Sequence, residues 1–170
     1  MNKKIAVLPG DGVGPEITAV ACDILKKVAE KFGHTFTCTK GLIGAVAIEA
    51  TGEALPQKTT DLCLASDAVL FGAIGDPKYD NDPNAKIRPE QGLLAMRKAL
   101  GLYANVRPIF TFADFISKSP LKPEIINSVD FIVIRELIGG IYFGKKGRTA
   151  DRTAAFDTNE YTKEEIERVA

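Results

Sequence analysis

The chain has 170 residues, enough for one ordinary domain or for two incomplete ones. Hydrophobic residues make up 45% of the sequence, so a packed core can form and intrinsic disorder is not expected. The 22 basic and 22 acidic residues balance, which gives no electrostatic reason to expect a nucleic acid or a membrane surface as a partner. Any anion-binding site must therefore be local and built from a few placed arginines.

The first predicted elements alternate between strand and helix. A short apolar run at 4–8 predicts a buried strand, and apolar residues at helical spacing predict a helix that begins near Pro15 and ends at Gly33. The next predicted elements are a strand at 35–39, short helices at 44–50 and 57–65, and a continuous apolar strand at 67–74. The last of these is typical of a strand buried on both sides, and the order as a whole predicts an α/β open sheet.

A long polar loop at 75–89 separates these elements from the second half of the chain. The elements predicted after it are a helix at 90–100, a strand at 129–137, a second strand at 141–143 and an exposed polar excursion at 145–152. The capping box from Thr162 to Glu165 predicts that another helix begins there. Because the sequence stops at Ala170, we expect the chain to be part of a longer protein.

Neither the N-terminus nor the cysteines indicate export. The N-terminal apolar run is too short for a signal-peptide core or a membrane span. The three cysteines show no CxxC spacing and are interpreted as small buried residues in a reducing compartment; they are Cys22, Cys38 and Cys63. With His34 as the single histidine, a zinc site is not expected. The sequence therefore predicts a soluble, cytoplasmic protein.

A glycine cluster, Gly10-Asp-Gly-Val-Gly-Pro-Glu16, follows the first strand and opens the first helix. It does not match the dinucleotide-binding fingerprint, because Pro15 stands in the place of the third glycine. It lacks the Gly-Lys-Ser/Thr of a phosphate-binding loop as well. The cluster is therefore interpreted as a structural tight turn, and any cofactor must be bound elsewhere.

Four residues of the predicted helix at 90–100 share one face: Glu90, Leu93, Leu94 and Arg97 stand at i, i+3, i+4 and i+7. An amphipathic helix with core leucines and solvated charges is one interpretation. The alternative is a binding surface that combines a carboxylate, two leucines and a guanidinium. Two arginines elsewhere, Arg107 and Arg135, favour that alternative.

Arg135 lies inside an apolar strand, where it alternates with Phe131 and Val133. Burying an arginine there is costly without a carboxylate partner, which can come from a ligand or from a buried Glu or Asp of the protein. Three arginines beside an apolar patch suit a dicarboxylate that carries a branched alkyl group, since guanidinium groups pair with carboxylates in two-point geometry. Tyr142 is a candidate general acid, with simple packing in a strand as the alternative.

Four segments together resemble one family, the β-decarboxylating dehydrogenases, which include the isopropylmalate and isocitrate enzymes. The segments are Val7–Glu16, Arg88–Arg97, Leu102–Pro108 and Val133–Gly144. They occur in the family's order and the resemblance covers the whole chain. The two leucines in the second segment favour the isopropylmalate members, because isocitrate relatives place polar groups there for a third carboxylate.

The resemblance implies roles for particular residues. The arginines that hold the malate carboxylates correspond to Arg97, Arg107 and Arg135. The surroundings of the isopropyl group correspond to Glu90, Leu93 and Leu94, with Glu90 also near the nicotinamide. Tyr142 corresponds to the tyrosine that protonates the enol after carbon dioxide leaves. The cofactor-contacting segment corresponds to Gly75, Asp76, Pro77, Lys78, Tyr79, Asp80, Asn81, Asp82, Pro83, Asn84, Ala85, Lys86, Ile87 and Arg88.

The same resemblance implies an architecture. The fold is expected to be a two-domain α/β open sheet that is not of the Rossmann type and is incomplete here. Residues 1–98 would belong to the first domain and 99–170 to the second, substrate and dimerisation domain. A homodimer with shared active sites is expected, with an arm near 145–156 in its interface.

The implied reaction is the oxidative decarboxylation of 3-isopropylmalate to 2-oxoisocaproate, in leucine biosynthesis. NAD would accept hydride from the substrate, and Mg²⁺ or Mn²⁺ would polarise its hydroxyl and stabilise the enolate. The metal ligands and a catalytic lysine are expected beyond Ala170, so the chain alone is expected to be inactive. The alternatives are a relative that acts on homoisocitrate or a tartrate-like acid, and a non-catalytic module that works as the partner of another chain.

Overall fold

A computed structural model describes residues 1–80 and 85–170, which form two compact units, Met1–Leu100 and Gly101–Ala170. Across these two ranges no helix is both long and apolar enough to cross a bilayer. The sequence predicted a boundary between residues 98 and 99. The assignment of the two units to separate domains of a longer protein stays a prediction.

Unit 1 is built on a three-stranded parallel sheet of β1 (Asn2–Gly10), β2 (Thr35–Lys40) and β3 (Ala68–Ala73) in the order β2-β1-β3. The central strand β1 is the most buried, with Ala6, Val7 and Leu8 at most 1% exposed. The prediction that the strand at 67–74 is buried on both sides was wrong. Within the described ranges β3 pairs with β1 alone, so it forms an edge and its side chains are only half-buried.

The described residues of unit 1 also form five helices: α1 (Gly14–Phe32), α2 (Ala45–Thr51), α3 (Gln57–Leu64), α4 (Pro77–Asp80) and α5 (Pro89–Ala99). Helix α1 has a proline in its first turn and ends at Gly33 in the left-handed conformation (φ 63°), as the sequence predicts. The core combines β1, α3 and α5 through a cluster of Ala6, Leu8, Ile43, Cys63 and Met96.

The expectation that all three cysteines are buried was wrong for two of them. Cys63 belongs to the core and its burial raises the pKa of its thiol. Cys22 is half-buried on α1 and Cys38 is exposed on β2. Cys38 is exposed because it lies on β2, most of whose side chains are exposed in this chain.

Unit 2 contains two antiparallel strand pairs. Strands β4 (Ala104–Phe110) and β5 (Asp130–Glu136) form the first, and β6 (Lys146–Arg148) and β7 (Ala155–Asp157) form the second. The helical segments are a 3₁₀ helix at Ala113–Lys118, α6 (Pro123–Ile126), a 3₁₀ helix at Gly140–Tyr142 and α7 (Lys163–Glu167). The predicted capping box is present, because Thr162 Oγ1 accepts from Glu165 N at 3.2 Å and Glu165 Oε2 accepts from Thr162 N at 2.8 Å.

One local prediction in unit 2 was wrong. The segment 141–143 is not a strand, because Gly140 has φ 62° and its carbonyl accepts from Phe143 N at 3.1 Å and Gly144 N at 2.8 Å, which winds the chain into a 3₁₀ turn. The polar stretch at 145–152 is exposed, as predicted, apart from the half-buried Gly147. Its first residues form β6, and the chain then turns back into β7.

Candidate functional site

The glycine cluster after β1 is a structural turn, as the sequence analysis proposed. Gly10 has φ 71°, and a Cβ there would overlap the carbonyl oxygen of Ala73 on β3. A Cβ at Gly14 would overlap the carbonyl of Pro9. Both glycines therefore permit close backbone approach between β1, β3 and the start of α1.

Asp11, within the same cluster, has a role that the sequence analysis missed. Its carboxylate is 3% exposed and accepts hydrogen bonds from Ala45 N (2.7 Å) and Val46 N (3.1 Å), so it caps α2 from 34 residues away. Gly44 precedes α2 with φ 80°, and a Cβ there would overlap Asp11 Oδ2. The available signal was that α2 follows a glycine and lacks a Ser, Thr or Asp of its own at the N-cap.

Asp11→Ala is expected to lower the free energy of unfolding by about 1–3 kcal/mol, because the buried N–H of Ala45 and the partly buried N–H of Val46 lose their acceptor. Asp11→Asn retains one acceptor oxygen, so its free energy of unfolding should lie between those of wild type and Asp11→Ala. Urea denaturation of both variants measures the effect, with Asp23→Ala on the exposed side of α1 as the control. An Asp11→Ala midpoint equal to that of wild type would show that the cap contributes nothing.

Helix α5 carries the predicted face of four residues, and its start is well defined. Gln91 Oε1 accepts from Arg88 N at 3.2 Å, and Pro89 occupies the first turn. The four residues of the face are Glu90, which is exposed, and Leu93, Leu94 and Arg97, which are half-buried. Leu93 packs against the core cluster, so the interpretation of the leucines as core residues holds for at least part of its surface.

The predicted cofactor-contacting loop is described at Gly75, Asp76, Pro77, Lys78, Tyr79, the backbone of Asp80, and Ala85, Lys86, Ile87 and Arg88. Asn81, Asp82, Pro83 and Asn84 lie outside the described residues. Lys78 Nζ forms an ion pair with Glu49 Oε1 at 2.6 Å, and its hydrogen bond to that carboxylate raises the pKa of Lys78. Arg88 Nη1 donates to the carbonyl of Tyr79 at 3.0 Å, which links the two ends of the loop.

Two of the three predicted arginines share one face of the β4–β5 pair. Asn105 lies opposite Arg135 and Arg107 lies opposite Val133, and directly opposed residues of an antiparallel pair point to the same side. Arg107 Nε also donates to Asn105 Oδ1 at 2.8 Å. The two guanidinium groups therefore stand on one exposed surface. Arg97 belongs to unit 1.

Arg135 contacts Tyr142, the predicted general acid. Its Nη2 donates to the phenol oxygen of Tyr142, and its guanidinium carbon lies 5.3 Å from the centroid of the ring. Arg135 is exposed, and within unit 2 (101–170) no carboxylate lies within 4.0 Å of its guanidinium. Within unit 2, therefore, Arg135 does not pair with a buried Glu or Asp, which was the alternative interpretation. An exposed cation beside a phenol is an arrangement that can bind an anion and move a proton.

Glu136, the next residue along β5, was also missed. Its side chain is 10% exposed and accepts from Ile138 N (3.1 Å), Gly139 N (2.8 Å) and Arg168 Nη2 (2.7 Å). Burial alone would raise the pKa of this carboxyl, but the Arg168 hydrogen bond and the two N–H donors outweigh it and hold the pKa below its usual value. The only sequence signal for this cluster was an acidic residue at a strand end.

A family model described as isocitrate/isopropylmalate dehydrogenase matches residues 4–170. The chain belongs to the isocitrate/isopropylmalate dehydrogenase family. The resemblance drawn from the four sequence segments is therefore confirmed, and so is the α/β fold class at the level of the family.

Among members of this family, the chain is 54% identical over 169 residues to a 3-isopropylmalate dehydrogenase of Bacteroides fragilis, covering 99% of this chain and 47% of that protein. It is 52% identical over 170 residues to the Bacillus caldotenax enzyme (99% and 46%) and 49% identical over 173 residues to that of Bacillus subtilis (99% and 47%). The chain thus spans about half the length of the curated relatives it matches.

Solved structures of the family resemble it as well. A β-decarboxylating dehydrogenase from Thermococcus kodakarensis, in its apo form, matches with a TM-score of 0.64 and 30% identity, covering 98% of this chain and 42% of that one. An isocitrate dehydrogenase from Methylococcus capsulatus matches with a TM-score of 0.72 and 28% identity, covering 98% and 44%. Both matches extend through both units of the chain.

Proposed function

We propose that the complete protein carrying this sequence catalyses the oxidative decarboxylation of 3-isopropylmalate to 2-oxoisocaproate with NAD as oxidant, in leucine biosynthesis. The observation that carries this proposal is the 54% identity, across 99% of the chain, to a protein named 3-isopropylmalate dehydrogenase. The exposed arginines of unit 2 and the adjacent phenol support it, because a dicarboxylate substrate needs fixed cations and a proton donor.

Substrate binding is assigned to six side chains. Arg97, Arg107 and Arg135 bind the two carboxylates, since a guanidinium fork pairs with a carboxylate through two hydrogen bonds. The apolar and acidic groups around the isopropyl group are Glu90, Leu93 and Leu94. The shared face of Arg107 and Arg135 supports this assignment, because two cations side by side attract one dianion.

Tyr142 is the proposed acid that delivers a proton to the enol after carbon dioxide leaves. Its hydroxyl already accepts a hydrogen bond from Arg135. When the phenol gives up its proton, that guanidinium stabilises the negative charge left on the oxygen. The same arginine thus serves the substrate carboxylate and the proton donor.

The proposed cofactors are NAD and a divalent metal ion. NAD, when bound, accepts the hydride, and its contacts are assigned to the loop from Gly75 to Arg88, which corresponds to the cofactor-contacting segment of the family. Mg²⁺ or Mn²⁺ is the proposed metal. In the described part of the chain no group of three or more His, Cys, Asp or Glu side chains can hold an ion, so no step is assigned to it.

We further propose a cytoplasmic homodimer with shared active sites, in a two-domain fold that is not of the Rossmann type. The hairpin of β6 and β7 supports the dimer, because it is a short two-stranded arm whose Phe156 is 55% exposed. An isolated two-stranded hairpin is marginally stable, and a partner surface would cover that ring.

The test is turnover by the purified complete protein, followed as NADH formation. We expect 3-isopropylmalate with Mg²⁺ to give the highest kcat/KM, with homoisocitrate and tartrate as comparison substrates. A preference for either comparison acid would move the assignment to that relative. Absence of turnover with all three would favour the non-catalytic partner module.

Arg97→Lys should raise KM for 3-isopropylmalate and lower kcat as well. A lysine supplies a point charge where arginine supplies a two-point fork, so carboxylate binding and orientation both weaken. Each lost charge-assisted hydrogen bond contributes about 1.5–3 kcal/mol, so kcat/KM should fall by at least tenfold. Steady-state kinetics measures both constants, and an unchanged KM would remove Arg97 from the substrate site.

A further inference from the structure

The carboxylate of Glu136 collects three donors at the point where β5 ends. Two of them, Ile138 N and Gly139 N, belong to the segment that connects Arg135 with Tyr142. The third is the guanidinium of Arg168. A carboxylate with three donors and 10% exposure is held in one position, and it fixes the backbone that donates to it.

That backbone has to reverse direction within a few residues. Side chains alternate along a strand, so Arg135 and Glu136 point to opposite faces of β5. The chain then turns through Gly140, at φ 62°, and returns Tyr142 to Arg135. The Glu136 hydrogen bonds hold the first half of this turn, and the 3₁₀ hydrogen bonds to Gly140 hold the second half.

Arg168 holds Glu136 from the other side. Its guanidinium carbon lies 5.0 Å from the centroid of the Tyr103 ring, and its Nη2 is 3.9 Å from Glu165 Oε1. Arg168 directly follows α7, whose N-terminus is capped by Thr162 and Glu165. The guanidinium is therefore anchored at several points, and it balances a negative charge that would otherwise weaken the positive potential at Arg135.

We propose that Glu136, held by Arg168, is a positioning residue that keeps the Tyr142 hydroxyl on Arg135. This inference rests on the proposed function, because it assigns to Glu136 the positioning of Tyr142, the proposed acid. Glu136 does not touch the substrate in this scheme. It acts through the backbone of Ile138 and Gly139 on the placement of Tyr142.

A purely structural ion pair predicts something different. If the Glu136–Arg168 pair only stabilises unit 2, its loss lowers activity by the same factor whatever residue stands at 142. If it positions Tyr142, its loss has no effect once the hydroxyl at 142 is absent. The two roles are therefore separated by a double-mutant cycle between positions 136 and 142.

The experiment measures kcat and KM of the complete protein for wild type, Glu136→Gln, Tyr142→Phe and the double variant. Glu136→Gln retains one acceptor oxygen, so the fold is expected to persist. We expect kcat to fall by about 10²-fold with KM little changed, since misplacement of a catalytic group by about 1 Å has an effect of that size. In the Tyr142→Phe background, Glu136→Gln should not lower kcat below the value of Tyr142→Phe alone. Equal losses in both backgrounds would overturn the proposal.

Three further variants sharpen the result. Arg168→Leu should reproduce the Glu136→Gln kinetics, whereas Glu167→Gln, which breaks the exposed Lys163–Glu167 pair of the same helix, should match wild type. The charge-exchanged double variant Glu136→Arg, Arg168→Glu should not restore activity, because an arginine cannot accept from two backbone N–H groups. Recovery in the exchanged variant would show that the charge pair alone matters and would overturn the positioning role.

A readout without turnover separates this proposal from the proposed function. The amide hydrogens of Ile138 and Gly139 should exchange slowly in wild type and much faster in Glu136→Ala, which removes both acceptor oxygens. If 3-isopropylmalate is not oxidised but this difference is present, the proposed function fails while the Glu136 hydrogen bonds stand. If exchange at both amides is unaffected by Glu136→Ala, the positioning role is overturned whatever the substrate proves to be.

Discussion

Tyr142→Phe is expected to lower kcat by about 10²–10⁴-fold while KM for 3-isopropylmalate changes little. The substitution removes one hydroxyl and keeps the ring, which Arg135 contacts at 5.3 Å. Substrate binding is assigned to three arginines, and none is altered. A loss confined to kcat is the pattern for a group that acts in the transition state. Steady-state kinetics under saturating NAD measures it.

Tyr161→Phe is the matched control, because it removes the same hydroxyl elsewhere in unit 2. Tyr161 packs beside Gly140, where its hydroxyl oxygen and the ring carbon that carries it fill the space that a Cβ would take. We expect its kinetics to stay close to those of wild type. A Tyr142→Phe enzyme with wild-type kcat would make Tyr142 a packing residue and assign the proton to another group.

Gly10→Ala should have the largest effect on stability. The new methyl group would overlap the carbonyl of Ala73, in the register pair that closes the β1–β3 ladder, and φ 71° is itself unfavourable for alanine. Relief requires β1 and β3 to separate at this end. We expect a loss of more than about 4 kcal/mol, a value reached only by severe packing or backbone defects. Calorimetric unfolding measures it as a fall in Tm.

Gly33→Ala supplies the control for backbone conformation alone. Gly33 has nearly the same φ, 63°, but no atom lies within 4 Å of the position of a new Cβ. Its loss should be about 1–2 kcal/mol, the cost of placing an L-residue in the left-handed region. The difference between the two variants is then the effect of the overlap with β3. Equal losses at both positions would contradict the close approach seen at Gly10.

The features that the sequence predicted well depend on neighbours along the chain. The α1 helix follows from apolar spacing between Pro15 and Gly33, and the α7 start follows from the Thr162–Glu165 pattern. Hydrophobic periodicity and capping act within one or two turns, so they can be read locally. The turn at Gly10–Gly14 belongs to the same class, since its glycines mark tight backbone geometry.

The features that were missed depend on distant partners. The Asp11 cap of α2 spans 34 residues, and the Glu136–Arg168 pair spans 32. No periodicity marks such pairs, because a carboxylate that caps a remote helix looks the same in sequence as a solvated one. The 3₁₀ turn at Tyr142 was mistaken for a strand for a related reason. Its apolar neighbours match either conformation, and the left-handed Gly140 decides between them.

Strand order in unit 1 has a consequence for synthesis on the ribosome. The central strand β1 is made first, whereas its partner β3 begins only at Ala68. Until β3 has emerged, Ala6, Val7 and Leu8 lie on a strand with one open edge, and such edges pair readily with other nascent chains. At the start of β1, the Lys3 side chain and the Lys4 backbone N–H both donate to the carboxylate of Asp67, which directly precedes β3. These contacts form only after Asp67 has been synthesised. Before then the positive charges of both lysines lie beside the unpaired edge of β1, where they oppose aggregation of the nascent chain.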